Sequence, residues 1–245
     1  MCKDCGCTPT PVHDHAHEHL HNHDVPAHRV VDLHERVLAK NDHQAAHNRE
    51  RFLDKGIPVI NVLSAPGSGK TALLERTLTD LQGDLRAAVI VGDLATDNDA
   101  KRLRRSGSPI VQITTGTLCH LEADMIARAC KELDLDPLDL LFIENVGNLV
   151  CPASFDLGES LRVVLTSVTE GEDKPLKYPT LFKTADVVLL TKIELADVVG
   201  FDREAAHKNL REIAPRAEII ELSARTGQGL EAWYARIRGL VHAHA

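Results

Sequence analysis

IPVINVLSAPGSGKT, from Ile57 to Thr71, is the stretch that decides the fold. Its first eight residues are mostly apolar and β-branched, and such a run suits a strand buried on both faces. A glycine-rich turn follows, and Lys70-Thr71 open a helical stretch over 70–82. Strand, glycine-rich turn and helix in that order are the context of a phosphate-binding P-loop. Gly67 and Gly69 let backbone N–H groups converge on phosphate oxygens, with Ser68 and Ala72 completing the loop's contacts. The helix N-terminus adds its partial positive charge. Lys70 is placed to reach β- and γ-phosphates, and the Thr71 hydroxyl suits Mg²⁺. One position departs from Gly-x4-Gly-Lys-Ser/Thr: Ser64 stands where the first glycine belongs. The loop keeps its shape provided Ser64 holds a negative φ.

The alternation continues downstream. LRAAVIVG precedes a helix near 97–106, and PIVQIT precedes a helix near 118–133. LDLLFIEN, LRVVLTSV, ADVVLLT and AEIIEL are further strands, the last followed by a helix over 228–241. Near-continuous apolar strands alternating with helices imply an α/β domain over 57–245. It is a P-loop NTPase with about seven mostly parallel strands flanked by helices. Upstream, 29–56 reads as a helical segment. Val30, Leu33, Val37 and Leu38 recur at helical spacing, and Gly56 is a stop. Residues 1–28 form a Cys/His-rich tail that is polar, Pro-bounded and without core periodicity. Such a segment buries too little apolar area to offset its ordering entropy, so disorder is expected without metal.

Composition narrows the function. The chain has 245 residues, 43% hydrophobic and 26% charged, which suits one globular domain with extra material. A net charge of −8 argues against a nucleic-acid binder held by phosphate contacts. No apolar run approaches the ~18 residues of a membrane span. Met1 is followed by Cys and charges rather than a signal sequence. A cytoplasmic setting follows, and in a reducing compartment clustered Cys bind metal more often than they form disulfides.

Other acids fit the phosphate site. Asp93 follows the second strand, and Glu144 ends LDLLFIEN, with Gly147 three residues on. An acid at a strand end beside a P-loop suits Mg²⁺ or water positioning. A glycine just after it can offer an N–H to a γ-phosphate, as in hydrolysis-driven switches. Asp93 and Asp99 both have helix capping as the other reading. Lys70, Asp93 and Glu144 are thus the catalytic candidates, and Thr71, Asp93 and Glu144 the magnesium ligands; no side chain stands out as a base. For the nucleobase, TKIE (Thr191, Lys192, Glu194) follows ADVVLL where a GTPase has Asn-Lys-x-Asp. A carboxylate there accepts guanine N1–H and N2–H, a pair adenine lacks. SARTG, with Ser223 and Ala224, follows the last strand. Together these favour GTP over ATP.

His and Cys are unevenly spread: of 14 His and 6 Cys, a large share lies near the N-terminus. Cys2, Cys5 and Cys7 in CKDCGC gather three soft thiolates, which suit Ni, Zn or Cu(I). His13, His15, His17, His19, His21 and His23 recur with period two, interleaved with acids in part. That pattern suits labile metal binding. Cys119-His120 opens the helix LCHLEADMIARA, and Cys151 follows the Glu144–Gly147 switch. Each lies past a strand's C-terminal end, so the three can meet. Spacing alone nevertheless favours Cys119 and Cys151 as small buried hydrophobes and His120 as a surface residue. Cys130, within a helical apolar pattern, reads as core.

CKDCGC, the His tract, SAPGSGKT, GDLATDNDAKR, TGTLCHLEADMI, ENVGNLVCP and EGEDKPLKYPTLF followed by TK together carry a resemblance. Over nearly the whole chain they resemble the hydrogenase nickel-incorporation GTPases, the HypB family of the SIMIBI class. The resemblance implies a high-affinity nickel site at Cys2, Cys5 and Cys7. It implies a second, weaker site at Cys119, His120 and Cys151, near the interface of a nucleotide-dependent homodimer, with Zn²⁺ as the other occupant. It further implies slow, switch-like hydrolysis of GTP to GDP and phosphate, and delivery of Ni(II) to a [NiFe]-hydrogenase large-subunit precursor. The partners so implied are that precursor, a HypA-type accessory protein and a nickel-handling isomerase, with no nucleic acid and no membrane. A urease-type nickel GTPase, a non-enzymatic nickel store and a P-loop ATPase are the alternatives.

Overall fold

The computed structural model describes residues 27–244, with side chains from Glu35 onward. Cys2, Cys5, Cys7 and the His tract from His13 to His23 lie outside the described residues.

Seven strands form one sheet: β1 (Val59–Ser64), β2 (Ala87–Asp93), β3 (Ile110–Thr114), β4 (Leu140–Glu144), β5 (Leu161–Ser167), β6 (Val187–Thr191) and β7 (Glu218–Leu222). Their order is β3-β2-β4-β1-β5-β6-β7. All pairings are parallel, so the expected mostly parallel sheet is wholly so. Every strand therefore points its C-terminal end to the same edge. The helices are α1 (Ala27–Asp54), α2 (Lys70–Asp80), α3 (Asn98–Leu103), α4 (Ala123–Ala129), α5 (Lys174–Lys177), α6 (Pro179–Lys183), α7 (Ala196–Val199), α8 (Arg203–Ile213) and α9 (Leu230–His242).

Helices cover both faces, which is why the strands read as unbroken apolar runs. All six residues of β1 are buried. On one face, Leu73, Leu74 and Leu78 of α2 pack with Trp233 and Ile237 of α9. The Trp233 indole N–H also reaches the Thr77 hydroxyl at 3.0 Å. On the other, Phe52 of α1 and Ile126 of α4 pack over β4 and β2, and Leu210 of α8 sits beside Phe182 of α6. No described helix is long and apolar enough to cross a membrane.

Three sequence expectations need correction. The helix placed near 118–133 starts only at Ala123. The Leu121 N–H is taken by the Asn145 side chain and the Ala123 N–H by Asn41, so Cys119 and His120 stay in the preceding bend. The helix near 97–106 breaks after Leu103 into a 3₁₀ turn, Arg104–Ser106, that ends at left-handed Gly107. Finally, the buried stripe of α1 is Asn41, Ala45, Asn48 and Phe52, whereas Val37 is 42% exposed. Polar asparagines carry the packing face there, so apolar periodicity missed it.

Candidate nucleotide and metal site

The P-loop leaves the central strand β1 at the sheet's C-terminal edge, where open α/β sheets bind ligands. Gly67 and Gly69 take left-handed φ of 79° and 100°, which glycine alone adopts without strain. Ser64 closes the question raised by its departure from the motif. It is the last strand residue, fully buried, and Lys192 is the only described non-glycine with positive φ. Its hydroxyl also serves the site, since Lys70 Nζ donates to Ser64 Oγ at 2.9 Å. The ammonium is thus parked at the floor of the loop. Burial lowers its pKa, while Glu144, Asp99, Glu170 and Asp93 work to keep it charged.

A cleft of about 500 Å³ lies over this loop. Thr71 and Glu144 face it joined, the Thr71 hydroxyl donating to Glu144 Oε1 at 2.7 Å. The second carboxylate oxygen of Glu144 is buried without a partner. Burial pushes this carboxyl up from 4.5 to about 7, against the Thr71 bond and Lys70. The folded chain therefore holds a proton there that the unfolded chain releases at lower pH, so stability falls as pH rises from about 4.5 to 7. Glu144→Gln mimics the protonated form and removes that loss. Its melting temperature relative to the wild-type chain is expected to climb between about pH 5 and 8 in thermal melts without nucleotide.

Asp93 lines the cleft and folds its carboxylate back on its own loop, accepting from Ala95 N–H at 3.0 Å and Thr96 Oγ1 at 3.1 Å. Asp99 is not a helix cap: Asp97 occupies the N-cap of α3, and Asp99 lines the cleft with Arg102. Gly147 packs on the loop so closely that a Cβ would lie 3.2 Å from Pro66 backbone atoms. Gly147→Ala is expected to displace the P-loop at a cost of roughly 1–3 kcal/mol. It should also narrow the preference for a GTP analogue over GDP, measurable by calorimetry.

A smaller pocket adjoins at Gly69, Ala72 and Lys192, and adds Thr191, Glu194, Ala224 and Arg225. Lys192 sits at φ 58° and lays its Nζ on the Gly67 carbonyl at 2.7 Å. Thr191 Oγ1 donates to the Ser68 carbonyl at 2.7 Å. Glu194 keeps one carboxylate oxygen buried and unpartnered. Ser223 stays out of this pocket, since its hydroxyl accepts the Thr226 N–H and closes the turn. Sequence reasoning missed Glu170, which receives the Ser68 hydroxyl at 2.6 Å and braces the loop from behind. Its only signal was membership of the EGEDKPLKYP stretch.

Past β3 and β4 the chain brings Cys119, His120 and Cys151 together, with donor atoms all within 4.8 Å of one another. Spacing alone pointed the other way, to separate core and surface roles. His120 is 12% exposed, and its ring stacks on Phe155 at 3.9 Å between centroids. Both ring nitrogens are buried without a hydrogen-bond partner, with the nearest Glu122 oxygen at 3.7 Å. Burial lowers the imidazole pKa, which favours the neutral, ligating form. The Cys119 thiol raises the pKa of Cys151 through their mutual contact. A neutral imidazole beside two thiols suits nickel or zinc. Cys130 is buried in the core as expected, its thiol pushed up to about 11.

A glycine loop at the end of the central parallel strand, with a buried lysine and a strand-end carboxylate, defines a P-loop nucleotide-binding protein. The fold alone is shared with the signal recognition particle 54 kDa protein of Aeropyrum pernix in complex with GDP, at TM-score 0.55 and 13% identity over 77% of this chain and 48% of that one. The family described as CobW/HypB/UreG, nucleotide-binding domain, matches residues 58–221. The chain is 51% identical over 205 residues to hydrogenase maturation factor HypB of Escherichia coli K12, covering 84% of this chain and 71% of that one. It is 45% identical over 205 residues to the hydrogenase/urease maturation factor HypB of Helicobacter pylori, covering 82% and 84%. The crystal structure of HypB from Helicobacter pylori in complex with nickel superposes at TM-score 0.80 and 43% identity, over 83% of this chain and 96% of that one. The chain belongs to the HypB family of hydrogenase maturation factors.

Proposed function

We propose that the chain is a GTP-hydrolysing nickel metallochaperone that delivers Ni(II) to a [NiFe]-hydrogenase large-subunit precursor. One observation carries this reading: the nucleotide cleft and the Cys-His-Cys cluster share a short loop. Gly147 lines the cleft, the Asn148 amide donates to the Cys119 carbonyl at 3.2 Å, and Cys151 follows. Movement of Gly147 toward a γ-phosphate therefore pulls on both halves of the metal cluster.

The residues take these roles. Gly67, Ser68, Gly69, Lys70, Thr71, Ala72 and Gly147 hold the phosphates. Thr191, Lys192, Glu194 and Ala224 surround guanine, with Ser223 shaping their loop. The unpartnered Glu194 oxygen supports this, since guanine N–H groups would satisfy it. Thr71, Asp93 and Glu144 would hold Mg²⁺, and the orphaned Glu144 oxygen fits that use. Held there, Mg²⁺ would neutralise charge on the phosphates. Lys70 stabilises the charge that develops on the transferred phosphoryl, while Asp93 and Glu144 shape the water's surroundings. Cys119, His120 and Cys151 carry nickel as cargo. Residues 1–28 supply a stronger site at Cys2, Cys5 and Cys7 and labile His ligands, 29–56 a helical link, and 57–245 the GTPase. Leu94, Leu118 and Val150 expose apolar side chains around this edge, which a second copy would cover in a nucleotide-dependent homodimer. A HypA-type protein and the precursor are the further partners, in the cytoplasm.

The test is transfer of radioactive nickel to purified precursor. GTP should support it and a non-hydrolysable analogue should not; equal transfer with both, or none with either, would contradict the proposal. A urease role is the second reading, favoured by the dual hydrogenase/urease naming of the Helicobacter pylori relative. Deletion of the gene should then lower urease as well as hydrogenase activity.

A further inference from the structure

Two asparagines of α1 are buried, seven residues apart and thus on one helix face. Asn41 Oδ1 accepts the Ala123 N–H at 2.9 Å, and its Nδ2 donates to the Asp156 carbonyl at 2.8 Å. Asn48 Nδ2 donates to the Ala123 carbonyl at 2.8 Å and to the Leu157 carbonyl at 3.1 Å. Each amide therefore bridges the same two backbone segments. One segment reaches Ala123 three residues after His120. The other runs on from the turn that begins at Cys151 and contains Phe155, the ring stacked on His120. Among the described residues, no backbone hydrogen bond joins 119–123 to 151–157.

Neighbouring contacts fix the same junction. Arg49 Nη2 reaches both Asp156 carboxylate oxygens, at 2.8 and 2.7 Å. Gly158, at φ +90°, lies so close to α1 that a Cβ would meet the Ala45 carbonyl at 2.7 Å. The helix thus docks on this spot in one register. Buried amides whose groups bind backbone are costly to leave unmet, so both loops are held to the helix.

We propose that Asn41 and Asn48 are positioning residues of the Cys119, His120 and Cys151 cluster. Together they set the gap between the loop carrying Cys119-His120 and the loop carrying Cys151, and with it the affinity of that cluster for a soft divalent cation. The inference rests on the metal-site reading above. Groups that orient ligands without touching the ion typically change metal affinity about 10–100-fold when replaced.

The experiment uses the full chain with Cys2→Ser, Cys5→Ser and Cys7→Ser. Ni(II) is titrated while the thiolate-to-nickel charge-transfer absorption is followed, a band that the tail imidazoles cannot produce. Asn48→Ala removes both bonds to the two loops, together with the one that Asn48 accepts from Gln44. Asn41→Ser is the second variant: its shorter, neutral side chain gives up the bridge between Ala123 and Asp156 without burying a charge. Both variants are expected to weaken nickel binding on the order of tenfold and to shift the band. Their GTP KM should stay within about twofold of the parent, a split that a purely structural role would not give. Variants that melt like the parent and bind nickel with its affinity and band would overturn the inference while leaving the metal site standing. Absence of the band in the parent would overturn both. Asn41→Ser decides alone if Asn48→Ala fails to fold.

Discussion

Lys70→Ala is expected to lower GTP turnover on the order of 10²–10³-fold while leaving a folded chain. Lys70 is the buried cation of the phosphate cleft, held at 2.9 Å from the Ser64 hydroxyl. Its surroundings are largely desolvated, so its charge acts on a phosphoryl group with little screening. The same burial lowers its pKa, and removing a desolvated ammonium does not by itself unfold the protein. Its loss takes a favourable partner from Glu144, so that carboxyl should be protonated to still higher pH. Lys70→Arg should not restore turnover, because a planar guanidinium cannot occupy a pocket shaped for an ammonium next to Ser64. Single-turnover phosphate release at saturating GTP, read beside a thermal melt, measures the effect. Turnover within tenfold of the wild-type chain would contradict the assignment.

The second large effect concerns the metal. Cys151→Ala, in a chain without the tail thiols, is expected to weaken nickel binding at the domain site by more than about 100-fold, beyond what loss of a supporting group costs. Three donors within 4.8 Å are already close to a coordination sphere, and two leave the ion largely to water. Cys130→Ala is the matched control. Its thiol sits in the core with its pKa pushed up to about 11, so it stays protonated and does not ligate. That substitution should lower the melting temperature and leave the nickel isotherm unchanged. Equal isotherms for Cys151→Ala and its parent would exclude the cluster as the nickel site.

Most of the fold was legible because parallel strands covered on both faces must be apolar throughout. Each of the seven runs became a strand, and the glycine loop marked the central one. What escaped the sequence was set by tertiary partners. Cys119 and His120 look helical from their neighbours, yet Asn41 and Asn145 claim the N–H groups that follow them. The Cys-His-Cys cluster joins positions 32 residues apart, from Cys119 to Cys151, and meets only because β3 and β4 end at the same edge. Family resemblance pointed to it; spacing did not. Asp99 was legible only as one of two readings, and Arg102 and Glu170 were hidden, for another reason. Charged residues after strands are usually solvated, and only the folded cleft shows which ones face inward. Asn41 and Asn48 left no apolar signal at all.

On the proposed reading, nucleotide state sets metal affinity through the Gly147–Cys151 loop. By linkage, a nucleotide that changes nickel affinity must have its own affinity changed by nickel to the same degree. Nickel titration of the chain lacking tail thiols, once with GDP and once with a non-hydrolysable GTP analogue, both with Mg²⁺, reads this coupling without intermediate steps. Two affinities differing by roughly 5-fold or more are expected, with no such difference in Cys151→Ala. Identical nickel isotherms with the two nucleotides would contradict the coupling.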